Sequence, residues 1–182
     1  MNNVILSNIS RFITLLAAQV LIFNNIDLFG FINPFPYILF ILLYPATGNK
    51  SFLYILSFLL GLSVDMFENS GGIHATASLI LAFVRPNLLK FSFGVSFQYH
   101  QTNLNDKISK ELFKGMEVLT YLILATVIHH CSLFALEILR FNFIWEILLR
   151  TLLTTLFTIL TSIIIIYLIK PTKKWEKHCF LL

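Results

Sequence analysis

The residues best able to do chemistry lie in one stretch, residues 61–74, which reads Gly-Leu-Ser-Val-Asp-Met-Phe-Glu-Asn-Ser-Gly-Gly-Ile-His. Asp65, Glu68 and His74 are its ionisable side chains. Apolar sequence flanks the stretch on both sides, and an ionisable side chain inside a membrane span costs roughly 2.5 to 3.5 kcal/mol on insertion scales. Asp65 therefore needs a hydrogen-bonding partner, a water molecule or a function.

Two roles are open to Asp65. Intramembrane carboxylates mark proton and cation paths, so the residue is a candidate relay. It also precedes a glycine pair, and it can accept hydrogen bonds from the backbone N–H groups that open the next helix. We expect this second role, because the helix start is so near. Gly71 and Gly72 tolerate positive φ, so we expect Asp65, Gly71, Gly72 and His74 to form a structural turn.

His74 lies close in sequence to Asp65 and Glu68. A histidine beside two carboxylates is a candidate pH-sensitive latch, because the carboxylates favour its charged form. The alternative, which we expect, is an interfacial residue that forms hydrogen bonds.

A second polar group, His129, His130 and Glu137, falls within a long apolar run and shares one helical face approximately. A metal site needs at least three converging ligands, so His74 would have to contribute from another helix. We expect these residues instead to form hydrogen bonds between helices, each worth on the order of 0.6 kcal/mol inside a bundle. The sequence thus predicts neither a metal nor a cofactor.

Other charged residues suggest local roles. Glu146 and Arg150 are four residues apart, the spacing of a helical ion pair. Arg85 and Lys90 mark the cytoplasmic end of a span, where long side chains can snorkel to the head groups. Threonines recur at helical spacing in the last span, so we expect them to form a packing seam, the line along which this helix contacts its neighbours. They are Thr151, Thr154, Thr155, Thr158 and Thr161.

Motifs of catalysis are not evident. We find no Ser-His-Asp or Cys-His arrangement, no pair of catalytic carboxylates and no convergent polar pocket in the pattern. The two cysteines, Cys131 and Cys179, lack the close spacing of a zinc site or a disulfide framework. We therefore expect a protein that is not an enzyme.

Composition places the chain in a membrane. Of its 182 residues, 57% are hydrophobic and 12% are charged, and the mean hydropathy is +0.82. Soluble domains carry about 25% charged residues. The apolar runs are long and do not alternate, so they predict helices of about 20 residues rather than barrel strands. Residues 1–182 are expected to form a single polytopic membrane domain.

The pattern predicts an all-α bundle of six transmembrane helices. The expected spans are residues 9–29, 37–47, 52–67, 73–93, 117–139 and 144–169. The second is short for a crossing and is a candidate for a kinked or partly embedded helix. Residues 98–114 are expected to be a cytoplasmic connector, and residues 170–182 a basic cytoplasmic tail.

Lysine and arginine counts set the expected orientation. If both ends are cytoplasmic, only Arg140 and Arg150 remain on the outer side. The inner side then holds Arg11, Lys50, Arg85, Lys90, Lys107, Lys110, Lys114, Lys170, Lys173, Lys174 and Lys177. Basic residues interleaved with aromatics on a folded surface are not apparent, so we expect no binding to nucleic acid.

Small side chains cluster on the two spans around the central turn. Membrane helices associate by close contact at small residues. We expect this cluster either to seat a partner's helix or to pack the bundle core that shapes such a seat. Its members are Gly61, Ala75, Ala77, Ser78 and Ala82.

Three short motifs, residues 61–67, 72–75 and 82–86, resemble the MreD family of bacterial rod shape-determining membrane proteins. They read Gly-Leu-Ser-Val-Asp-Met-Phe, Gly-Ile-His-Ala and Ala-Phe-Val-Arg-Pro, and they are most similar to Bacteroidetes-like forms. Residues 34–40 and the pattern from Val127 to Glu137 are also similar to that group.

The resemblance implies a non-enzymatic member of the cell-elongation machinery in the cytoplasmic membrane. Its expected partners are an MreC-like bitopic protein, an MreB-like filament, the enzymes of wall synthesis and membrane lipids. The family's bundle is similar in architecture to the substrate-binding components of energy-coupling-factor vitamin transporters. A vitamin-binding transport component is therefore an alternative function. An ion carrier that uses Asp65, His129 and Glu137 is a further one.

Overall fold

The computed structural model of the chain describes residues 2–26, 32–46, 48–94, 116–138 and 144–169. The expected connector at 98–114 and the expected tail at 170–182 lie outside the described residues. Six α-helices account for most of what is described. They are α1 (Asn2–Leu21), α2 (Leu39–Leu42), α3 (Lys50–Glu68), α4 (Ile73–Phe93), α5 (Met116–Ile138) and α6 (Ile144–Ile169). Two 3₁₀ turns, Phe23–Asn25 and Pro36–Ile38, follow α1 and precede α2.

The described fold is all-helical, as predicted, and four of its helices are long and apolar enough to cross a membrane. They are α1, α3, α5 and α6. Helix α4 has 21 residues but is not among the four, because Arg85, Asn87 and Lys90 lower its hydropathy. Helix α2 has four residues, about 6 Å of helix, whereas a crossing needs about 20 residues. The count of six spans is therefore not confirmed.

Long helices that follow one another in sequence pack side by side, α3 on α4, α4 on α5 and α5 on α6. Helix α1 packs on α3 and on the segment that contains α2.

Asn49 caps α3, since its side chain accepts a hydrogen bond from the backbone N–H of Ser51 at 2.9 Å. Helix α3 ends at Asn69, whose φ of 55° is left-handed. Gly71 and Gly72 then adopt φ values of 69° and 97°, so the expected glycine turn is present.

The segment 34–44 fills the centre of the bundle, where Tyr37, Ile38, Leu39, Ile41 and Leu42 are completely buried. Irregular backbone at membrane depth is tolerated only where protein groups satisfy its polar atoms. Side chains of α1 and α6 do so in this bundle. The Phe35 N–H donates to Thr158 Oγ1 at 3.1 Å, and Gln19 Nε2 donates to the Pro34 carbonyl at 3.3 Å.

This central segment runs from one end of the bundle to the other. The Phe35 ring packs on His74 at 5.1 Å between centroids, and the Tyr44 carbonyl accepts a hydrogen bond from Arg85. Arg85 lies eleven residues beyond His74 on α4, about 16 Å along the helix axis. The segment therefore lies alongside α4 between the same two ends of the bundle. We call the end at residues 68–74 the turn end and the end at Arg85 the arginine end.

Candidate functional site: a polar cavity at the turn end

Asp65 joins the end of α3 to the start of α4. It is 4% exposed, and its Oδ1 accepts hydrogen bonds from the His74 N–H at 2.9 Å and from Ser70 Oγ at 2.5 Å. Its Oδ2 accepts from the Ala75 N–H at 2.8 Å. Backbone N–H groups at a helix start are natural partners of a carboxylate. Asp65 thus has the bonding that we predicted for the structural turn.

The small residues bring α3 and α4 into backbone contact. A Cβ atom on Gly61 would lie 2.5 Å from the His74 carbonyl oxygen and 2.6 Å from Ala75 Cα. Ala75, Ala77, Ser78 and Ala82 are at most 1% exposed. Of the two roles left open for this cluster, the structure gives it packing within the bundle, because its side chains face inward.

His74 lies at the centre of the polar site. It is 2% exposed, and its Nε2 is 2.7 Å from Glu68 Oε2. Its Nδ1 is 3.1 Å from the Tyr37 hydroxyl. Asp65 contacts the backbone of His74 and not its ring, while Ser70 bonds to Asp65. Aspartate, histidine and serine therefore occur together at this site without the geometry of a catalytic triad.

The Tyr37 hydroxyl contacts both His74 and His129, two candidate residues that sequence spacing alone does not bring together. This hydroxyl is 2.9 Å from His129 Nε2, and Tyr37 and His129 are completely buried. The sequence pattern does not single out Tyr37, which is the first residue of the expected second span. Tyr37 directly follows Phe35 and Pro36, where the proline breaks the helical pattern. That break is the sequence feature that could have indicated a buried polar side chain at Tyr37.

His130 turns toward α6. Its Nδ1 is 3.1 Å from Thr155 Oγ1, and its Nε2 is 3.4 Å from Thr158 Oγ1. Thr158 also accepts the Phe35 N–H. The threonine stripe is therefore more than a packing seam, because two of its hydroxyls are hydrogen-bonded to a histidine. These contacts have the form of the interhelical hydrogen bonds that we predicted for this residue.

Glu137 and Arg150 form an ion pair between α5 and α6. Arg150 Nη1 donates to Glu137 Oε1 at 3.1 Å, and the guanidinium lies 5.0 Å from the centre of the Phe134 ring. The predicted pair of Glu146 with Arg150 is wrong. The Arg150 side chain points inward to α5, whereas Glu146 is exposed.

These groups surround a cavity of about 300 Å³ at the turn end. Its lining comprises Asn33, Phe35, Glu68, Ser70, Ile73, His74, Leu133, Phe134, Glu137 and Arg150. Charged side chains come from α3, α5 and α6, and phenylalanine rings come from the central segment and α5. Our expectation that no polar pocket would form is therefore wrong, because residues distant in sequence converge at this end.

Histidine and carboxylate side chains do not gather as a metal site in the described residues. No group of three or more His, Cys, Asp or Glu side chains could hold a metal ion there. The imidazoles of His74 and His129 both bond to Tyr37 instead. The chemistry available to the site is hydrogen bonding, proton exchange and the binding of a small molecule.

Arg85 forms a separate polar cluster at the arginine end. It is 3% exposed, donates to the Tyr44 carbonyl and donates from Nε to the Tyr121 hydroxyl at 3.2 Å. Tyr121 in turn donates to the Leu42 carbonyl at 3.2 Å. The prediction that Arg85 snorkels to head groups is wrong, because its side chain turns into the bundle and satisfies the carbonyls of the central segment.

Comparison of the chain with protein-family models, curated proteins and solved structures finds no match.

Proposed function

We propose that this chain is a non-enzymatic membrane scaffold of the bacterial cell-elongation machinery, which acts with an MreC-like bitopic protein. The proposal rests on the resemblance to the MreD family and on the structural roles of the residues that carry it. Gly61, Asp65, His74 and Arg85 are all buried. Each joins one pass of the bundle to another, so the motif residues support a fixed shape.

The observation that carries the proposal is an apolar layer on α4 between the two polar clusters. Ser78 and Arg85 are the nearest polar residues of α4 on either side of it, and seven residues of helix span about 10 Å. Between them lie Leu81 and Ala82, which are completely buried and belong to the same hydrophobic cluster as Ala125 of α5. A carrier or channel needs a continuous polar or wet path. This layer favours a scaffold over an ion carrier.

Large apolar side chains cover the outside of the described helices. Such side chains suit lipid, and they also suit a partner's transmembrane helix. Exposed examples on α3 and α4 are Phe52, Ile55, Phe58, Leu59, Leu62, Met66, Leu79 and Phe83. In the proposed arrangement α1, the central segment, α3, α4, α5 and α6 each cross the cytoplasmic membrane, and both chain ends face the cytoplasm.

The arrangement also places Lys50 and Lys90 on the cytoplasmic side, where an MreB-like filament would lie. Anionic lipid is an equal partner for these cations, at about 1 kcal/mol for each basic residue near the surface. The turn-end cavity then faces the outer side, where wall-synthesis enzymes act.

Depletion of the chain in its native bacterium tests this function. We expect rods to widen and round up as the protein falls, and expression of the wild-type chain from a plasmid to restore normal width. Unchanged rod length and width after complete loss of the protein would overturn the proposal. Microscopy with quantitative immunoblotting supplies both measurements.

The cavity favours a second candidate, a substrate-binding component of a vitamin-type transporter. Ligand sites combine apolar walls with a few convergent polar groups, and Phe35, Phe134, His74 and Arg150 supply both kinds at the turn end. A ligand at one hundred times its Kd stabilises a protein by about 2.7 kcal/mol. A vitamin that raises the Tm of the purified chain, with the rise lost in Phe35→Ala, would favour this candidate. The absence of any shift across a vitamin panel would reject it.

A further inference from the structure

Four side chains from four elements form a continuous hydrogen-bonded chain at the turn end. Glu68 Oε2 lies 2.7 Å from His74 Nε2, and His74 Nδ1 lies 3.1 Å from the Tyr37 hydroxyl. That hydroxyl lies 2.9 Å from His129 Nε2. The Glu68 side chain is 22% exposed, whereas Tyr37 and His129 are completely buried. We call these four residues the relay.

The proton positions in the relay follow from what each group can donate. An ionised Glu68 only accepts, so a neutral His74 carries its proton on Nε2 and accepts on Nδ1. Tyr37, whose ordinary pKa is about 10, is protonated and donates its single proton to that Nδ1. The tyrosine oxygen then accepts from His129, which carries its proton on Nε2. His129 Nδ1 is left as a bare lone pair, and this atom is buried with no hydrogen-bond partner in the described residues.

We propose that the relay is a proton-binding site, in which a proton taken up at His129 Nδ1 becomes a positive charge on His74 beside Glu68. Because Nδ1 is buried, hydronium reaches it only when local opening of the bundle admits water; the hydronium becomes water as the N–H bond forms at Nδ1. The His129 Nε2–H bond then breaks as a new Tyr37 O–H bond forms. The original Tyr37 O–H bond breaks as an N–H bond forms at His74 Nδ1. His129 and Tyr37 end neutral, and His74 becomes an imidazolium; no electrons are transferred.

The ionisable groups around His74 fit this end state. They are Asp65 and Glu68 from α3, Tyr37 from the 3₁₀ turn, His129, His130 and Glu137 from α5, and Arg150 from α6. Glu68 is the carboxylate in direct contact with the His74 ring, with its Oε2 2.7 Å from Nε2, so an imidazolium at His74 forms an ion pair with it.

Binding of the proton changes the charge of the cavity. With His74 neutral, the ionised side chains that line the cavity are Glu68, Glu137 and Arg150, which carry one net negative charge. An imidazolium at His74 makes the lining neutral. The apolar layer at Leu81 and Ala82 separates the relay from the arginine end, so the proton is held and not conducted across the bundle.

The test is nitrogen-15 NMR of the full chain in lipid nanodiscs, with histidine as the labelled residue. The chain has five histidines, so each resonance can be assigned by single substitution. At high pH we expect His129 to be protonated on Nε2. As pH falls, His129 should change to the Nδ1–H tautomer at the same midpoint at which His74 becomes doubly protonated. A His129 tautomer that stays constant while His74 gains its proton would overturn the proposal.

Tyr37→Phe breaks the relay at its centre, and Tyr54→Phe is the matched control because Tyr54 lies outside the relay. In Tyr37→Phe we expect the His129 tautomer to stop following His74, whereas Tyr54→Phe keeps the joint transition. Persistence of the joint transition in Tyr37→Phe would contradict the relay. If Tyr37→Phe does not fold, the wild-type titration alone decides the question.

Proteoliposomes should show no sustained proton flux, and a steady flux would show a conducting path in place of a binding site.

Discussion

At the scale of single residues, Asp65 is the residue most constrained by hydrogen bonds at the turn end. It accepts from two backbone N–H groups and one hydroxyl. We expect Asp65→Asn to cost about 1–3 kcal/mol, because one carboxylate oxygen becomes an amide donor and one native donor loses its acceptor. Asp65→Leu leaves three donors without an acceptor and should cost at least twice as much.

Denaturant titration of the purified variants in detergent measures these losses, with the exposed Glu146→Gln as control. If the Asn and Leu variants of Asp65 lost function equally while both accumulated normally in the membrane, a titrating role would replace the structural one.

Arg85 supports the opposite end of the bundle. Its planar guanidinium donates to both Tyr44 and Tyr121, and a lysine cannot match that fork. We expect Arg85→Lys to lower the free energy of unfolding by about 1–3 kcal/mol, since a buried acceptor loses its donor. Lys90→Met is the control, because Lys90 is exposed one turn further along α4. Equal effects of the two substitutions would place Arg85 at the lipid surface, where we first expected it.

Sequence spacing identified the turn because its contacts are local. Asp65 and its backbone partners are separated by only nine and ten residues. A buried carboxylate just before a helix start has few hydrogen-bond donors within reach other than the first N–H groups of that helix. The contact of Tyr37 with His129 spans 92 residues, and no helical periodicity predicts it. Arg85 was misplaced for a related reason. A long cationic side chain at a helix end can reach outward or inward, and only the position of the Tyr44 carbonyl decides between them.

At the scale of elements, the contact of α3 with α4 depends on the absence of a side chain at Gly61. A Cβ there meets backbone atoms of α4, which cannot rotate away as a side chain can. We expect Gly61→Ala to force the helices apart and to cost about 1–3 kcal/mol, the usual penalty of overpacking. Leu59→Phe adds bulk to the exposed face of the same helix and should change stability by less than half as much. Thermal unfolding measures both.

The long helices were predictable, and the central segment was not. Bounds for α4 and α6 agree with the expected spans 73–93 and 144–169. The glycine pair before Ile73 marks the start of α4, and a long apolar run defines α6. Residues 37–47 were expected to be a helix, yet the helical part ends at Leu42. At the start of the central segment, the backbone N–H groups of Phe35 and Tyr37 donate to the side chains of Thr158 and Gln19. Helix propensity does not predict such long-range bonds.

At the scale of the whole molecule, polar groups lie inside each end and apolar side chains lie outside. Helices that bury their polar groups leave lipid-compatible surfaces, so association with another membrane protein depends on shape and close contact. This organisation is compatible with the proposed scaffold.

The most direct measurement of the central claim is recovery of an MreC-like bitopic protein with the tagged chain from native membranes, by affinity purification and quantitative mass spectrometry. The scaffold account predicts recovery in near-stoichiometric amount with the wild-type chain. It predicts a loss with Gly61→Leu, which distorts the bundle. Recovery no greater than that from an untagged strain, from a chain that is folded and abundant, would contradict the account.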